Sequence, residues 1–134
     1  MGLIRDVWRS FRAMPLWVQF WVALVLVPVN LAAALFWNQP GGALIAVLAI
    51  GGMLPNVAMM LAERGLSKGM ALSHVALWTP LGAIVAWRLL AGEGGAPAYT
   101  TYLWLLLAVD LVSLAFDFPD AWKWWKGDRA VAGR

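Results

Sequence analysis

The stretch TYLWLLLAVDLVSLAFDF, residues 101–118, decides how the rest of the chain is interpreted. It is almost entirely apolar, and a helix that crosses a bilayer needs about 20 mainly apolar residues. Yet Asp110 lies in its middle, and Asp117 follows two helical turns later. An ionisable side chain within a span costs about 2.5–3.5 kcal/mol on insertion scales, so it is expected to face protein or water rather than lipid.

The overall composition indicates a membrane protein. The 134 residues are 63% hydrophobic and only 13% charged, and the mean hydropathy is +0.74. Soluble domains carry about 25% charged residues, so most of this surface must face something other than water. The chain has no cysteine and a single histidine. We therefore expect no metal site and no cofactor.

Four segments are long and apolar enough to span a membrane. They are residues 16–37, 43–62, 70–91 and 99–118. Helix-breaking sequences separate them: NQPGG (38–42), ERGLSKG (63–69) and GEGGAP (92–97). Because each connection is short, consecutive spans should be antiparallel neighbours. The sequence predicts an all-α integral membrane protein, with residues 1–134 forming a single domain built on an antiparallel bundle of four transmembrane helices with short loops.

Lysine and arginine placement predicts the orientation. Arg88 is alone on one side of the four-span arrangement. The other basic residues fall on the opposite side: Arg5, Arg9, Arg12, Arg64, Lys68, Lys123, Lys126, Arg129 and Arg134. The positive-inside rule then places both termini in the cytoplasm of a cell inner (plasma) membrane. The basic pI of about 9.8 reflects this topology, so we expect no nucleic-acid partner.

Both ends of the chain have the pattern of segments that lie at a membrane surface. Residues 1–14 alternate apolar side chains with Arg5, Arg9 and Arg12 at helical spacing. Residues 119–134, which begin at Pro119, form a basic, tryptophan-rich tail. Its aromatic and basic members are Trp122, Lys123, Trp125 and Lys126. We expect short amphipathic interfacial helices that bind anionic headgroups, with docking to a partner protein as the alternative.

The polar residues of the fourth span share one face. On a helical wheel, a single stripe contains Leu103, Leu106, Asp110, Ser113 and Asp117. This stripe should face the bundle interior or another subunit. Asp117 lies closer to the end of the span than Asp110, so Asp117 is expected to be hydrated.

Two groups on other spans lie at a depth where they can meet this stripe. His74 of span three and Asn56 of span two are both in the cytoplasmic half. His74 with Asp110 or Asp117 would form a titratable pair. One hypothesis is a proton or ion relay; the other is a hydrogen-bonded clasp that fixes helix register.

Three spans contain an internal proline, at Pro28, Pro55 and Pro80. Each lacks an N–H and frees the carbonyl four residues earlier, which predicts helix kinks. The nearby polar side chains that could meet such carbonyls, or a substrate, are Asn30, Asn56 and Thr79. The pair Gly51–Gly52 is typical of a close contact between helices.

No enzyme signature is present: the sequence has no nucleophile–base set, no glycine-rich phosphate loop and no HExxH motif. We therefore expect that the protein is not an enzyme. The leading hypothesis is an accessory or structural subunit that associates with other membrane proteins or with itself. The alternative is a small oligomeric transporter or channel, proton- or ion-linked, that uses an intramembrane Asp/His pair.

Overall fold

The predicted all-helical organisation is confirmed by a computed structural model that describes residues 2–93 and 95–133; Arg134, used above for the orientation, lies outside them. The regular elements of these residues are helices, with no strand among them. Within this part of the chain, four helical segments are long and apolar enough to cross a membrane. They are Leu16–Phe36, Gly42–Glu63, Lys68–Leu90 and Pro97–Trp125, called spans one to four below.

Span one is irregular where Pro28 interrupts its hydrogen bonding. A separate helix, α1 (Leu3–Ala13), precedes it. The span itself consists of α2 (Leu16–Phe20), a π-helical segment (Trp21–Leu26), α3 (Val27–Leu31) and a 3-10 segment (Ala32–Phe36). Val27 donates its N–H to the Val22 carbonyl, five residues earlier. Because Pro28 has no N–H to give, the helix widens by one residue just before it.

Span two is divided into α4 (Gly42–Gly51) and α5 (Leu54–Glu63). The break falls at Gly52 and Met53, directly before Pro55, which lies in the first turn of α5. A proline is tolerated in a first turn because its missing N–H has no intrahelical partner there. The predicted interruption at Pro55 is therefore realised as a break between two helices.

Span three behaves differently at its proline. A 3-10 turn (Lys68–Met70) leads into α6 (Ala71–Leu90). This helix is continuous through Pro80. A single proline removes one backbone hydrogen bond, and the neighbouring turns of a long buried helix can maintain its course.

Span four, α7 (Pro97–Trp125), also continues through its proline, Pro119. A new helix does not start at Pro119, where the tail was predicted to begin, and the end of the membrane-spanning part at residue 118 stays a prediction. The stop signal is instead Gly127, whose φ of 112° is unfavourable for other residues. The Gly127 N–H donates to the Trp124 carbonyl at 3.1 Å, and the Asp128 N–H to the Lys123 carbonyl at 2.9 Å, which closes the last turn.

The core lies between α6 and α7, which form the most extensive contact in the fold. Large side chains with less than 2% exposure fill it: Trp78, Tyr99, Ile45, Leu81, Leu103 and Leu106. The Tyr99 hydroxyl donates to the Pro40 carbonyl at 3.1 Å, which attaches the start of span four to the connection between spans one and two.

Three chain segments meet at the end of the bundle that carries most basic residues, called the basic end below. The Arg64 guanidinium contacts the Asp6 carboxylate at 2.6 Å. The Leu66 N–H donates to Ser10 Oγ at 2.9 Å, and the Ala132 N–H donates to the Leu66 carbonyl at 2.8 Å. The C-terminal tail is therefore packed on α1 and on the connection between spans two and three.

Candidate functional site

The buried aspartate of span four is bonded to span one. Asn30 Nδ2 donates to Asp110 Oδ1 at 2.8 Å and to the Leu26 carbonyl at 2.9 Å. Asn30 and Asp110 are 0% and 1% exposed. The second oxygen of each, Asn30 Oδ1 and Asp110 Oδ2, is buried without a protein partner. Asp110 therefore lies in the interior of the bundle.

The expected partners of Asp110 were His74 and Asn56, and the structure corrects this. Asp110 and Asp117 share one face of α7, but Asp110 lies seven residues, about 10 Å, further along it. At that level its partner is Asn30 of span one, whereas His74 and Asn56 lie at the level of Asp117. Asn30 had been singled out only for its closeness to Pro28. The Tyr102 hydroxyl donates to the Val29 carbonyl at 2.6 Å and joins α7 to span one at the same place.

The other predicted residues form a second polar network between spans two, three and four. His74 Nδ1 lies 3.1 Å from Asp117 Oδ2, and His74 Nε2 lies 2.8 Å from Asn56 Nδ2. Ser113 Oγ donates to Asp117 Oδ2 at 2.9 Å. Asp117 is thus largely buried, with 9% exposure, although it lies closer to the end of the span than Asp110. The i, i+4 spacing of Ser113 and Asp117 directs both toward His74.

The donors and acceptors of the second network can be paired in two ways. With neutral His74, Nδ1–H donates to Asp117 and Nε2 accepts from Asn56. Ser73 Oγ is then close to two acceptors, Asn56 Oδ1 at 2.7 Å and the Gly52 carbonyl at 2.9 Å, but it has one proton. If His74 is protonated and the Asn56 amide turns over, Asn56 donates to Ser73, and Ser73 donates to Gly52. Every contact is then a donor–acceptor pair.

Trp78 contributes to this site, and no motif in the sequence indicates this role. Its ring stacks on His74 with centroids 3.9 Å apart, and Nε1 donates to the Ala49 carbonyl at 3.0 Å. That carbonyl is available because Met53, four residues later, donates its N–H to Ile50 instead. The helix break before Pro55 therefore creates the acceptor that fixes Trp78.

Thr79 does not belong to either network. Its side chain is exposed on the surface of α6, while the neighbouring Trp78 is fully buried. The helix continues through Pro80 without a change that would turn Thr79 inward.

A large cavity adjoins the second network. It has a volume of about 1270 Å³ and is lined by α1, by one face of span one, by α5 and by the tail. His74, Asn56 and Asp117 form part of its wall. The polar network is therefore accessible from this cavity, whereas the Asn30–Asp110 pair does not line it.

The predicted basic and aromatic residues at the two termini lie on the surface. The exposed members are Arg5, Arg9, Arg12, Trp122, Lys123, Trp125 and Lys126. Lys126 Nζ lies 4.6 Å from the centre of the Trp122 ring, and Arg12 donates to Gln19 Oε1 at 2.8 Å. Their positions are compatible with contact to lipid headgroups or to a partner.

No group of three or more His, Asp or Glu side chains that could hold a metal ion occurs in residues 2–93 and 95–133. The four apolar helices and the apolar composition place the chain in the class of small multi-pass membrane proteins. Comparison with protein-family models, curated proteins and solved structures found no match to this chain.

Proposed function

We propose that this protein is an accessory or structural subunit of a larger membrane assembly. In this proposal it lies in a bacterial-type inner membrane with its consecutive spans antiparallel and both termini in the cytoplasm. α1 and the tail lie at the membrane surface, where their arginine, lysine and tryptophan side chains contact anionic headgroups.

The observation that carries the proposal is the position of Asp110. A conduit residue would face a hydrated pathway, whereas Asp110 is 1% exposed and bonded to Asn30. A buried acid joined to an amide on another helix is what a register-fixing clasp requires. Asp117 and His74 are joined across spans in the same manner.

The outer surface supports association with other membrane components. Large apolar side chains are exposed on all four spans, as expected for contact with lipid or with other helices. Examples with at least 40% exposure are Leu24, Leu61, Trp87 and Leu111.

The test is extraction in a mild detergent after photo-crosslinking in the membrane. A photoreactive side chain is placed singly at each of those four exposed positions and, as a control, at the fully buried Leu103. We expect one or two exposed positions to yield a defined crosslink to another membrane protein, while position 103 yields none. Crosslinks to lipid alone at every exposed position, with no protein co-purifying, would contradict the proposal.

The topology has a separate test. Reporter fusions within residues 63–69 and after residue 134 should report the cytoplasm, and a fusion near residue 94 should report the opposite side. A cytoplasmic signal at residue 94 would exclude the orientation, although not the subunit role.

A second candidate, a proton- or ion-linked transporter, is favoured by one observation. His74, Asn56 and Asp117 line the large cavity, and they include a histidine and a carboxylate in contact with each other. Purified protein in vesicles would then dissipate a pH gradient. Asp117→Asn should abolish this flux, and Thr79→Val, an exposed substitution of similar size on span three, should preserve it. Absence of flux in the wild-type protein would eliminate this candidate.

A further inference from the structure

The cavity between spans one and two arises because these spans diverge toward the basic end. Near the opposite end, α3 and the 3-10 segment Ala32–Phe36 pack closely on α4. In the described chain, α2 and α5 make few close backbone contacts. The breaks near Pro28 and Pro55 fall where the two spans separate. The resulting wedge is closed at the basic end by α1 and the tail, and its volume is about 1270 Å³.

The chemistry of the wall changes along the cavity. Its deep part is lined by aliphatic and methionine side chains of spans one and two, such as Leu26, Leu31, Ile50, Met53 and Val57. Its charged members, Lys68, Asp117 and Asp120, lie in the half nearer the basic end. An apolar interior with charged groups at one end matches an amphiphile that has a hydrocarbon chain and a charged head.

The surroundings identify the kind of amphiphile. A smaller cavity of about 240 Å³ shares Ala132 and Gly133 with the large one and is lined by Arg9 and Asp6. Cationic and anionic side chains therefore occur together at this end, where Lys68 and Arg9 can meet a phosphate and Asp120 can meet an ammonium group. A cavity lined by apolar groups stays dry in water, but beside hydrocarbon chains it can be filled by one of them.

We propose that this cavity binds a membrane glycerophospholipid, with an acyl chain between span one and α5 and the phosphate beside Lys68. The volume exceeds the usual 300–1,000 Å³ of small-molecule sites, so it can accept a chain together with part of the head. Lys68 Nζ contacts the exposed Asp128 carboxylate at 3.1 Å and keeps further N–H donors for a phosphate. The binding site is independent of the subunit role, because either a subunit or a transporter can carry a bound lipid.

The test uses native mass spectrometry of the full-length protein purified in detergent, after removal of loose lipid and addition of a defined phospholipid. We expect a single-lipid adduct on the wild-type protein. Ala23→Trp introduces a large side chain into the cavity wall and should reduce the bound fraction about tenfold, equivalent to about 1.4 kcal/mol. Ala108→Trp, at an exposed position of α7 outside the cavity, should leave it unchanged.

Head-group recognition is tested separately. Lys68→Gln should weaken binding of a phospholipid about fivefold, the effect of one basic residue beside an anionic group. Arg88→Gln, which removes a basic charge at the opposite end of span three and outside the cavity, should not. If Ala23→Trp fails to fold, Val57→Trp on the opposite wall replaces it. Absence of an adduct on the wild-type protein, or equal binding by the cavity-filling variant and the Ala108 control, would overturn the proposal. A lysine-independent adduct would overturn the assigned position of the phosphate.

Discussion

Two adjacent glycines should respond oppositely to the same substitution. A methyl group added at Gly52 would lie 2.6 Å from Trp78 Cδ1 and would also contact Nε1. A methyl group at Gly51 would meet only Leu77 Cδ1, at 3.6 Å, an ordinary van der Waals distance. Trp78 is 0% exposed and bonded to the Ala49 carbonyl, so it has no space into which to move.

The magnitudes follow from these contacts. Overpacking of a buried site costs about 1–3 kcal/mol, and loss of the indole hydrogen bond adds about 1 kcal/mol. Replacing a helical glycine by alanine recovers about 0.5–1 kcal/mol. Gly52→Ala should therefore lower the free energy of unfolding by about 1–3.5 kcal/mol. Gly51→Ala should be neutral or stabilise by up to about 1 kcal/mol.

The assay is reversible unfolding in mixed detergent micelles, followed by circular dichroism. Trp78→Phe shortens the ring that meets the new methyl group, so the cost of Gly52→Ala should become smaller in the Trp78→Phe background than in the wild type. If Gly51→Ala and Gly52→Ala have equal effects, or if the two costs at positions 52 and 78 simply add, the inferred contact is incorrect.

Three further outcomes are expected. Asp110→Asn keeps an acceptor for Asn30, so the free energy of unfolding should change by less than about 0.5 kcal/mol. Asp110→Leu removes that acceptor and should lower the free energy of unfolding by about 1–2 kcal/mol. Equal losses for the two variants would contradict the clasp. The hydrogen bond from Lys68 lowers the pKa of the Asp128 carboxyl, so this tail contact is present at neutral pH and is lost as the pH falls through that lowered value. The protection of the amides of residues 126–133 against hydrogen exchange, relative to their intrinsic rates at each pH, should fall in acid. Asp128→Asn should remove this pH dependence of the protection, and an unchanged profile would refute the prediction. Glutamine at three exposed basic positions of the tail should weaken binding to anionic vesicles. Thermal stability should not fall, because the tail packs on the rest of the protein through Val131 and Ala132. A loss of thermal stability would show that these charges contribute to the folded structure instead. The three positions are Lys123, Lys126 and Arg129.

The number and positions of the spans were readable from sequence because bilayer thickness imposes a length and a composition on each helix. The four apolar segments and the three connections between them were predicted within a few residues, except at Pro119. The sequence predicted a helix boundary at Pro119 because proline often ends a helix. A proline removes only one hydrogen bond from a long helix, however, and α7 ends just before Gly127 instead.

The partners of the polar residues were decided by the tertiary structure. Sequence gives the depth of a residue along its span only approximately, and it offered His74 as a partner of either Asp110 or Asp117. His74 and Asn56 lie at the level of Asp117. Asp110 is on the same face of α7 but about 10 Å further along, where Asn30 of span one is its neighbour. Side-chain direction around the helix axis is set by the packing of all four spans together, and no local pattern encodes it.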